Sequence, residues 1–178
     1  MLRRKYILTM LKTPSIAFVP AQIEDAEAIA TMGHDIWLRH YFPEVLSLDA
    51  IAYLWQRTLS PQVIRAEMAR QVVYEWITLN AQIGFLAWHY LPEQRLRLSK
   101  LYLLPEYHHR GIGASTLAHV KEIAVKLGAK EIFLYVFKKN HQAIRAYLRA
   151  GFTIAGEEIS DAGQGYFYDD YVMRLPLK

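Results

Sequence analysis

The hydrophobic positions of the chain change their period several times between residues 15 and 178. A short apolar run at residues 16–19 is typical of a strand, and apolar side chains then recur at helical spacing over residues 26–37. Two more helices are expected after Ser47 and after Ser60, because serine caps helix starts and Pro61 suits a first turn. This part is therefore predicted to be one strand followed by three helices.

The middle of the chain is strand-like in three segments, at residues 72–79, 82–90 and 95–104. The breaks between these segments are short enough for antiparallel hairpins. After them, a turn with two glycines leads into a long helix, whose apolar positions recur at spacings of four and three between Gly113 and Leu127. Gly128 is expected to end this helix.

The last third predicts a strand at residues 130–137, a helix between Asn140 and Gly151, and a closing hairpin at residues 152–159 and 165–175. A strand, helix, strand order implies a right-handed crossover and parallel pairing of the two strands that flank the long helix. We therefore expect an α+β fold on a mixed, mainly antiparallel sheet with one parallel pair, flanked by helices.

Length and composition indicate one globular domain. The chain has 178 residues, of which 53% are hydrophobic and 21% charged, enough for one buried core and unlike a disordered or fibrous chain. No apolar run approaches the roughly 18 residues of a membrane-spanning helix. We expect an N-terminal tail at residues 1–14 and a single domain at residues 15–178.

The charge balance argues against a nucleic-acid partner. Lysine and arginine number 21 against 17 aspartate and glutamate, a net charge of +4. Arg3, Arg4, Lys5 and Lys12 supply this surplus, so residues 15–178 are neutral, whereas nucleic-acid binding requires a basic folded face. We expect neither nucleic acid nor membrane as a partner, and the oligomeric state stays open, with a homodimer among the alternatives.

The chain contains no cysteine, which excludes disulfides, thiol nucleophiles and thiolate metal sites. The histidines show no metal-ligand spacing, so we assign no metal. Nothing in this composition requires an oxidising compartment, and we expect a cytoplasmic protein.

Gly111 and Gly113 stand where the long helix begins. Backbone N–H groups at a helix start have no intrahelical partner, so such a turn invites an anion, and Arg110 adds a positive charge beside it. An isolated Gly-x-Gly is also typical of an ordinary tight turn. The third glycine of the dinucleotide fingerprint is replaced by Thr116, and the Lys-Ser/Thr ending of a P-loop is absent.

Asn140 and Tyr147 lie seven residues apart on the next helix, two turns along one face. A phosphate site at the end of two parallel strands, with a phenol beside it, suits an extended phosphorylated cofactor. The alternative for Tyr147 is an aromatic side chain that fills the core.

These segments carry a family resemblance. Residues 101–113, LYLLPEYHHRGIG, resemble motif A of the GNAT superfamily of acetyl-CoA-dependent N-acetyltransferases. Residues 140–152 resemble its following motif, N-x-x-A-x-x-x-Y-x-x-x-G-F, and residues 161–173 resemble the ending of the PaiA-type polyamine N-acetyltransferases. The resemblance implies a GNAT-like fold over residues 16–175.

The resemblance implies acetyl-CoA as cosubstrate and assigns residues to it. The main chain of Leu101 and Leu103 is expected to pair with the pantetheine arm, Asn140 to contact the cofactor, and Tyr147 to act as general acid. The pyrophosphate cradle is implied to consist of His108, His109, Arg110, Gly111, Ile112, Gly113 and Ala114.

The sequence departs from the family pattern at three points. His108 replaces the usual glutamine or arginine and His109 a frequent glycine, which leaves their contribution to phosphate binding open. Tyr135 and Lys100 stand where relatives place a glutamate base, so no general base is assigned. An amine with a pKa of about 10.4 must still lose a proton, through water or desolvation.

Acidic residues cluster late in the chain. Residues 150–173 contain five carboxylates and no lysine or arginine, so this hairpin is predicted to attract a cationic substrate through Asp169 and Asp170. The alternative is a solvated face. We expect an N-acetyltransferase that moves acetyl to a small-molecule primary amine, with a polyamine such as spermidine or spermine as the first candidate. Peptide or protein amines, and a non-catalytic acyl-CoA-binding domain, are the alternatives.

Overall fold

The computed structural model describes residues 15–178, and the predicted tail at residues 1–14 lies outside them. The described residues form seven strands and five α-helices. In chain order these are β1 Ala17–Pro20, α1 Ala26–Tyr41, α2 Leu48–Thr58, α3 Pro61–Ala69, β2 Val73–Thr78, β3 Gln82–Leu91, β4 Arg95–Leu103, α4 Ile112–Lys126, β5 Glu131–Phe137, α5 His141–Arg149, β6 Thr153–Gly163 and β7 Tyr166–Pro176.

The strands form one sheet in the order β1-β2-β3-β4-β5-β7-β6. Strands β4 and β5 pair in parallel, and every other neighbouring pair is antiparallel. The crossover through α4 produces this parallel pair. The predicted mixed α+β fold is confirmed.

The two faces of the sheet carry different helices, and we name each face after one of them. On the α4 face, residues of α4 and α5 pack on alternate positions of β4 and β5, such as Leu96 and Leu134. On the α1 face, helices α1 and α3 cover β2 and β3 through residues such as Ile29, Ile64 and Phe85. Side chains that alternate along a strand thus reach two separate cores.

Strands β4 and β5 stay together over three residue pairs only. Arg95–Arg97 pairs with Glu131–Phe133, and the remainder of β4 has no pairing with β5 in the described residues. We call the resulting gap between the two strands the slot. Ser99 is an extra residue in β4, because Ala87 and Trp88 pair with Lys100 and Leu98. This bulge bends β4 where the slot opens.

Two of the three predicted side-chain caps form. The Ser47 hydroxyl accepts a hydrogen bond from the N–H of Ala50 at 3.2 Å, and the Asn140 side chain accepts one from Ala143 at 3.1 Å. Ser60 precedes α3 as predicted but makes no side-chain cap, and its hydroxyl is buried without a hydrogen-bond partner among the described residues. No helix in the described part of the chain is long and apolar enough to cross a bilayer.

Candidate functional site

A first cavity of about 400 Å³ opens on the α4 face, between the end of β4, the start of α4 and helix α5. Its apolar wall includes Leu101, Leu103, Leu117 and Ala146. Most of the predicted cofactor residues meet there. Those that line it are Leu101, Leu103, His108, His109, Gly111, Gly113, Ala114, Asn140 and Tyr147.

The turn before α4 leaves room for an anion. Gly111 has a φ of 78°, in the left-handed region that favours glycine, and α4 begins at Ile112. The N–H groups of the first turn have no intrahelical partner. A Cβ atom added at Gly111 or Gly113 would meet nothing within 4 Å, so the space over these N–H groups is open. This geometry suits a phosphate or pyrophosphate group.

His108 is held at both ring nitrogens. Its Nε2 lies 3.0 Å from the carbonyl oxygen of Leu103, and its Nδ1 lies 3.1 Å from Nε2 of Gln142. A carbonyl oxygen accepts, so Nε2 donates in the contact with Leu103. Through these two contacts His108 joins the end of β4 to α5.

Two predicted cradle residues direct their side chains elsewhere. Ile112 is 3% exposed and belongs to the core of the α4 face, so only its backbone belongs to the turn. Arg110 is exposed, and its guanidinium lies 5.3 Å from the ring centroid of Tyr107. Neither side chain lines the first cavity.

A second cavity of about 560 Å³ lies on the α1 face. Helices α1, α2, α3 and α5 and the strands β3 to β7 all contribute to its wall. This wall is strongly charged, with acidic and basic side chains in equal number. The charged side chains are Glu67, Glu158, Asp170, Arg57, Arg97 and Lys100.

One charge pair in this cavity is neutralised within the protein. Lys100 is 9% exposed, and its Nζ lies 2.6 Å from Oε2 of Glu67. The Tyr74 hydroxyl donates to the same Glu67 oxygen, and the Lys100 ammonium lies 5.4 Å from the Tyr74 ring centroid. Burial lowers the pKa of Lys100, and Glu67 partly opposes this shift. Glu67 is thus committed to two protein partners.

The two predicted substrate residues lie on opposite faces of the sheet. Asp170 lines the second cavity, on the α1 face. Asp169 is outside the cavity lining, and its carboxylate lies 2.5 Å from the Lys138 ammonium, which also contacts Glu157 at 2.8 Å. Alternation along β7 separates the two neighbouring carboxylates in this way.

The two cavities meet at the slot. Leu101, Tyr102, Asn140, Tyr147 and Tyr41 line both of them. The Asn140 amide donates to the Tyr41 hydroxyl at 3.3 Å. Burial raises the pKa of all three phenols, so each is a protonated donor at neutral pH. An extended ligand in the first cavity and a small ligand in the second would touch beside the Tyr147 ring.

Sequence reasoning missed several residues of these cavities. Tyr41 follows Trp37 by one turn on the buried stripe of α1, a pattern that indicates core packing and gives no signal of a site. Glu67 and Arg97 belong to no motif and reach the second cavity through the tertiary fold. Gln142, which contacts His108, follows the Asn140 cap and could have been proposed from its position.

Comparison with known proteins places the chain in a family. A model of the acetyltransferase (GNAT) family matches residues 33–152. An uncharacterized N-acetyltransferase of Mycobacterium bovis is 40% identical over 81 residues, 46% of this chain and 51% of that protein. This chain thus spans about half the length of that relative.

Other similarities cover more of the chain. A spermidine N(1)-acetyltransferase of Thermoplasma acidophilum is 28% identical over 153 residues, 83% of this chain and 94% of that protein. The crystal structure of the PaiA N-acetyltransferase of Thermoplasma acidophilum in complex with coenzyme A matches with a TM-score of 0.73 and 24% identity, over 92% of this chain and 99% of that chain. This structural match shows that the two proteins share a fold.

Proposed function

Because the chain belongs to the GNAT acetyltransferase family, we propose that it transfers the acetyl group of acetyl-CoA directly to a primary amine, with a small polyamine such as spermidine or spermine as the acceptor. The observation that carries this proposal is the slot, where a cavity with an open helix start meets a charged cavity beside Tyr147. Such a junction lets an acyl donor and an amine approach from opposite faces of the sheet.

The first cavity is the proposed site for acetyl-CoA. The pyrophosphate would accept hydrogen bonds from the N–H groups around Gly111, Gly113 and Ala114, where the helix dipole favours negative charge. The pantetheine arm would lie along Leu101 and Leu103, on the edge of β4 that β5 leaves unpaired. His109, Arg110, Ile112 and Asn140 stay in the proposal as predicted contacts.

Tyr147 is the proposed general acid. The amine nitrogen attacks the thioester carbon, the carbon–sulfur bond breaks, and the departing thiolate takes the phenolic proton. Burial keeps the pKa of Tyr147 above its ordinary value, so the proton is in place at neutral pH. The phenol lines both cavities, as a group between donor and acceptor must.

Two observations support a polyamine acceptor. Asp170 and Glu158 face each other across β7 and β6 on the wall of the second cavity and would attract a cation. Relatives from Thermoplasma acidophilum and Bacillus subtilis are named for spermidine and spermine acetylation. Asp169 would contribute only through its longer-range charge. A cytoplasmic location is part of the proposal, since a chain without cysteine has no need of an oxidising compartment.

The test is the release of free CoA thiol with a panel of amines: spermidine, spermine, a primary monoamine, lysine and a lysine-containing peptide. We expect turnover with the largest kcat/KM for a polyamine. Lysine is included because Arg57 and Arg97 also line the cavity and would favour an acceptor with a carboxylate. Preference for lysine or the peptide would overturn the proposal of a polyamine acceptor. Binding of acetyl-CoA without turnover of any amine would overturn the proposal that the protein is an enzyme.

A further inference from the structure

Asp170 holds a special place among the carboxylates of the second cavity. It lies on β7 opposite Phe137, the last residue of β5, which is the strand that borders the slot, and it lines the same cavity as Tyr147. Glu67 is bound to Lys100 and Tyr74, and Glu158 is exposed. Asp170 is half-buried and has no ion-pair partner among residues 15–178. It is therefore the sheltered carboxylate that stays free to receive a proton.

Charged and titratable groups surround Asp170 from every neighbouring strand. Glu158 faces it from β6 and Asp169 precedes it on β7, while Arg97 of β4 and Lys138 after β5 supply positive charge. Its own charge also acts on three phenols of the second cavity, those of Tyr41, Tyr102 and Tyr168.

We propose that Asp170 is the catalytic residue that accepts the proton of the attacking amine. The proposal rests on the proposed acetyl transfer. The neutral amine forms the carbon–nitrogen bond, and the ammonium of the tetrahedral intermediate passes one proton to the Asp170 carboxylate. The carbon–sulfur bond then breaks, and the thiolate takes the proton of Tyr147. Exchange with solvent returns Asp170 to the ionised form and Tyr147 to the phenol.

The electrostatic environment suits this role. Burial, with help from Asp169 and Glu158, raises the pKa of Asp170 to about 6, while Arg97 and Lys138 oppose the shift. The carboxylate is then ionised at pH 7 yet closer to neutrality than an ordinary aspartate, which makes it a better proton acceptor. Below about pH 6 the group is protonated and cannot accept.

The experiment compares Asp170→Asn with the wild type, using a primary monoamine as acceptor. A monoamine has no second ammonium, so the loss of a mere binding contact would not affect it. We expect kcat to fall about 100-fold or more, the range for removal of an acid or base group. The amine's own protonation depresses both enzymes equally as pH falls, so the ratio of their kcat/KM values isolates Asp170. This ratio should shrink below about pH 6.

Two further variants complete the test. Glu157→Gln removes a carboxylate of the same hairpin that faces Lys138 and lies outside the cavity, and it should keep wild-type turnover. Asp170→Glu keeps a carboxylate and should recover part of the lost rate, which guards against a folding effect. Calorimetric CoA binding and Tm check each fold.

The outcomes separate the two proposals. Asp170→Asn that turns over the monoamine at the wild-type rate, or that loses rate only with polyamines through KM, overturns the proton-acceptor role and leaves acetyl transfer intact. An Asp170→Glu enzyme as slow as Asp170→Asn also overturns it. A wild type that turns over no amine of the panel overturns the proposed function itself.

Discussion

The two cavities that meet at the slot are built in different ways. Apart from three residues of α1, the lining of the first cavity comes from residues 101–150, a continuous stretch of strand, helix, strand and helix. The lining of the second runs from Trp37 to Asp170 and draws on four helices and five strands. The first cavity is thus encoded locally and can be found as a motif, whereas the second exists only once the whole sheet has formed.

The chemistry of the two cavities differs in the same way. The first cavity offers backbone N–H groups and the open space above two glycines. These features do not depend on which side chains surround them. The second offers ionised side chains at single positions, such as Asp170 and Arg97. We therefore expect the first cavity to keep its affinity for acetyl-CoA after most side-chain changes. The second cavity should change its preference among amines with single substitutions.

The largest effect is expected for Tyr147→Phe, because Tyr147 belongs to both cavities. Loss of the phenolic proton should lower kcat by about 10²–10⁴, while the affinity for acetyl-CoA stays nearly intact. Steady-state kinetics and calorimetric CoA binding measure the two quantities. An unchanged kcat would show that water delivers the proton and that the ring only fills space.

The next effect concerns the charged wall of the second cavity. Glu67→Gln leaves the buried Lys100 ammonium without its counter-ion, and we expect the free energy of unfolding to fall by about 3 kcal/mol. The control is Glu27→Gln, which breaks the exposed ion pair with Arg65 and should leave the free energy of unfolding nearly unchanged. Urea denaturation measures both. Equal effects would mean that the Lys100 pair stabilises no more than a surface contact.

A smaller effect is expected for Gly113→Val, which should weaken CoA binding in the first cavity without disturbing the fold. At Gly113 a side chain would meet no protein atom and no left-handed φ, so Gly113→Val should fold normally while its methyl groups occupy the phosphate space. We expect the Kd for CoA to rise at least about tenfold, equal to about 1.4 kcal/mol.

The control for this change is Gly156→Val, which also enters open space but lies on β6 outside both cavities. Calorimetry should show wild-type CoA affinity for it. If CoA affinity fell equally in the two variants, the phosphate of CoA would not bind at the start of α4.

The smallest effect is the salt dependence of acceptor choice. The kcat/KM advantage of spermidine over a monoamine should fall a few-fold as ionic strength rises from about 0.05 to 0.5 M, because screening shortens the reach of Asp170 and Glu158. Initial rates at both salt concentrations give the ratio. If the kcat/KM ratio did not change with salt, these carboxylates would be solvated groups of the hairpin that do not attract the acceptor.

Most of the fold could be predicted from the chain, because local patterns determine it. The glycine after the long helix, the caps at Ser47 and Asn140 and the apolar periods mark the elements, and the crossover through α4 makes β4 and β5 parallel. Residues 111–113 mark the start of α4 for the same reason. These features depend on neighbours within a few residues.

The remainder depends on contacts between distant segments. The opposite orientation of Asp169 and Asp170 follows from the pairing of β7 with β5 and β6, which composition alone cannot determine. The buried pair of Glu67 and Lys100 joins α3 to β4, 33 residues apart. The contact of Arg110 with the Tyr107 ring likewise forms only once the turn has folded, and the sequence does not predict it.

The bulge at Ser99 controls the parity of β4. Before it, Leu96 and Leu98 point to the α4 face, and after it Leu101 does so as well, at an odd spacing. Deleting Ser99 would leave Leu98, Lys100 and Leu101 opposite Trp88, Ala87 and Leu86, as they are now, but at regular alternation. The linings of both cavities would keep their side chains, and β4 would lose only the bend that the bulge gives it. We therefore expect this one-residue deletion to straighten β4 beside the slot without exchanging the two faces of the strand.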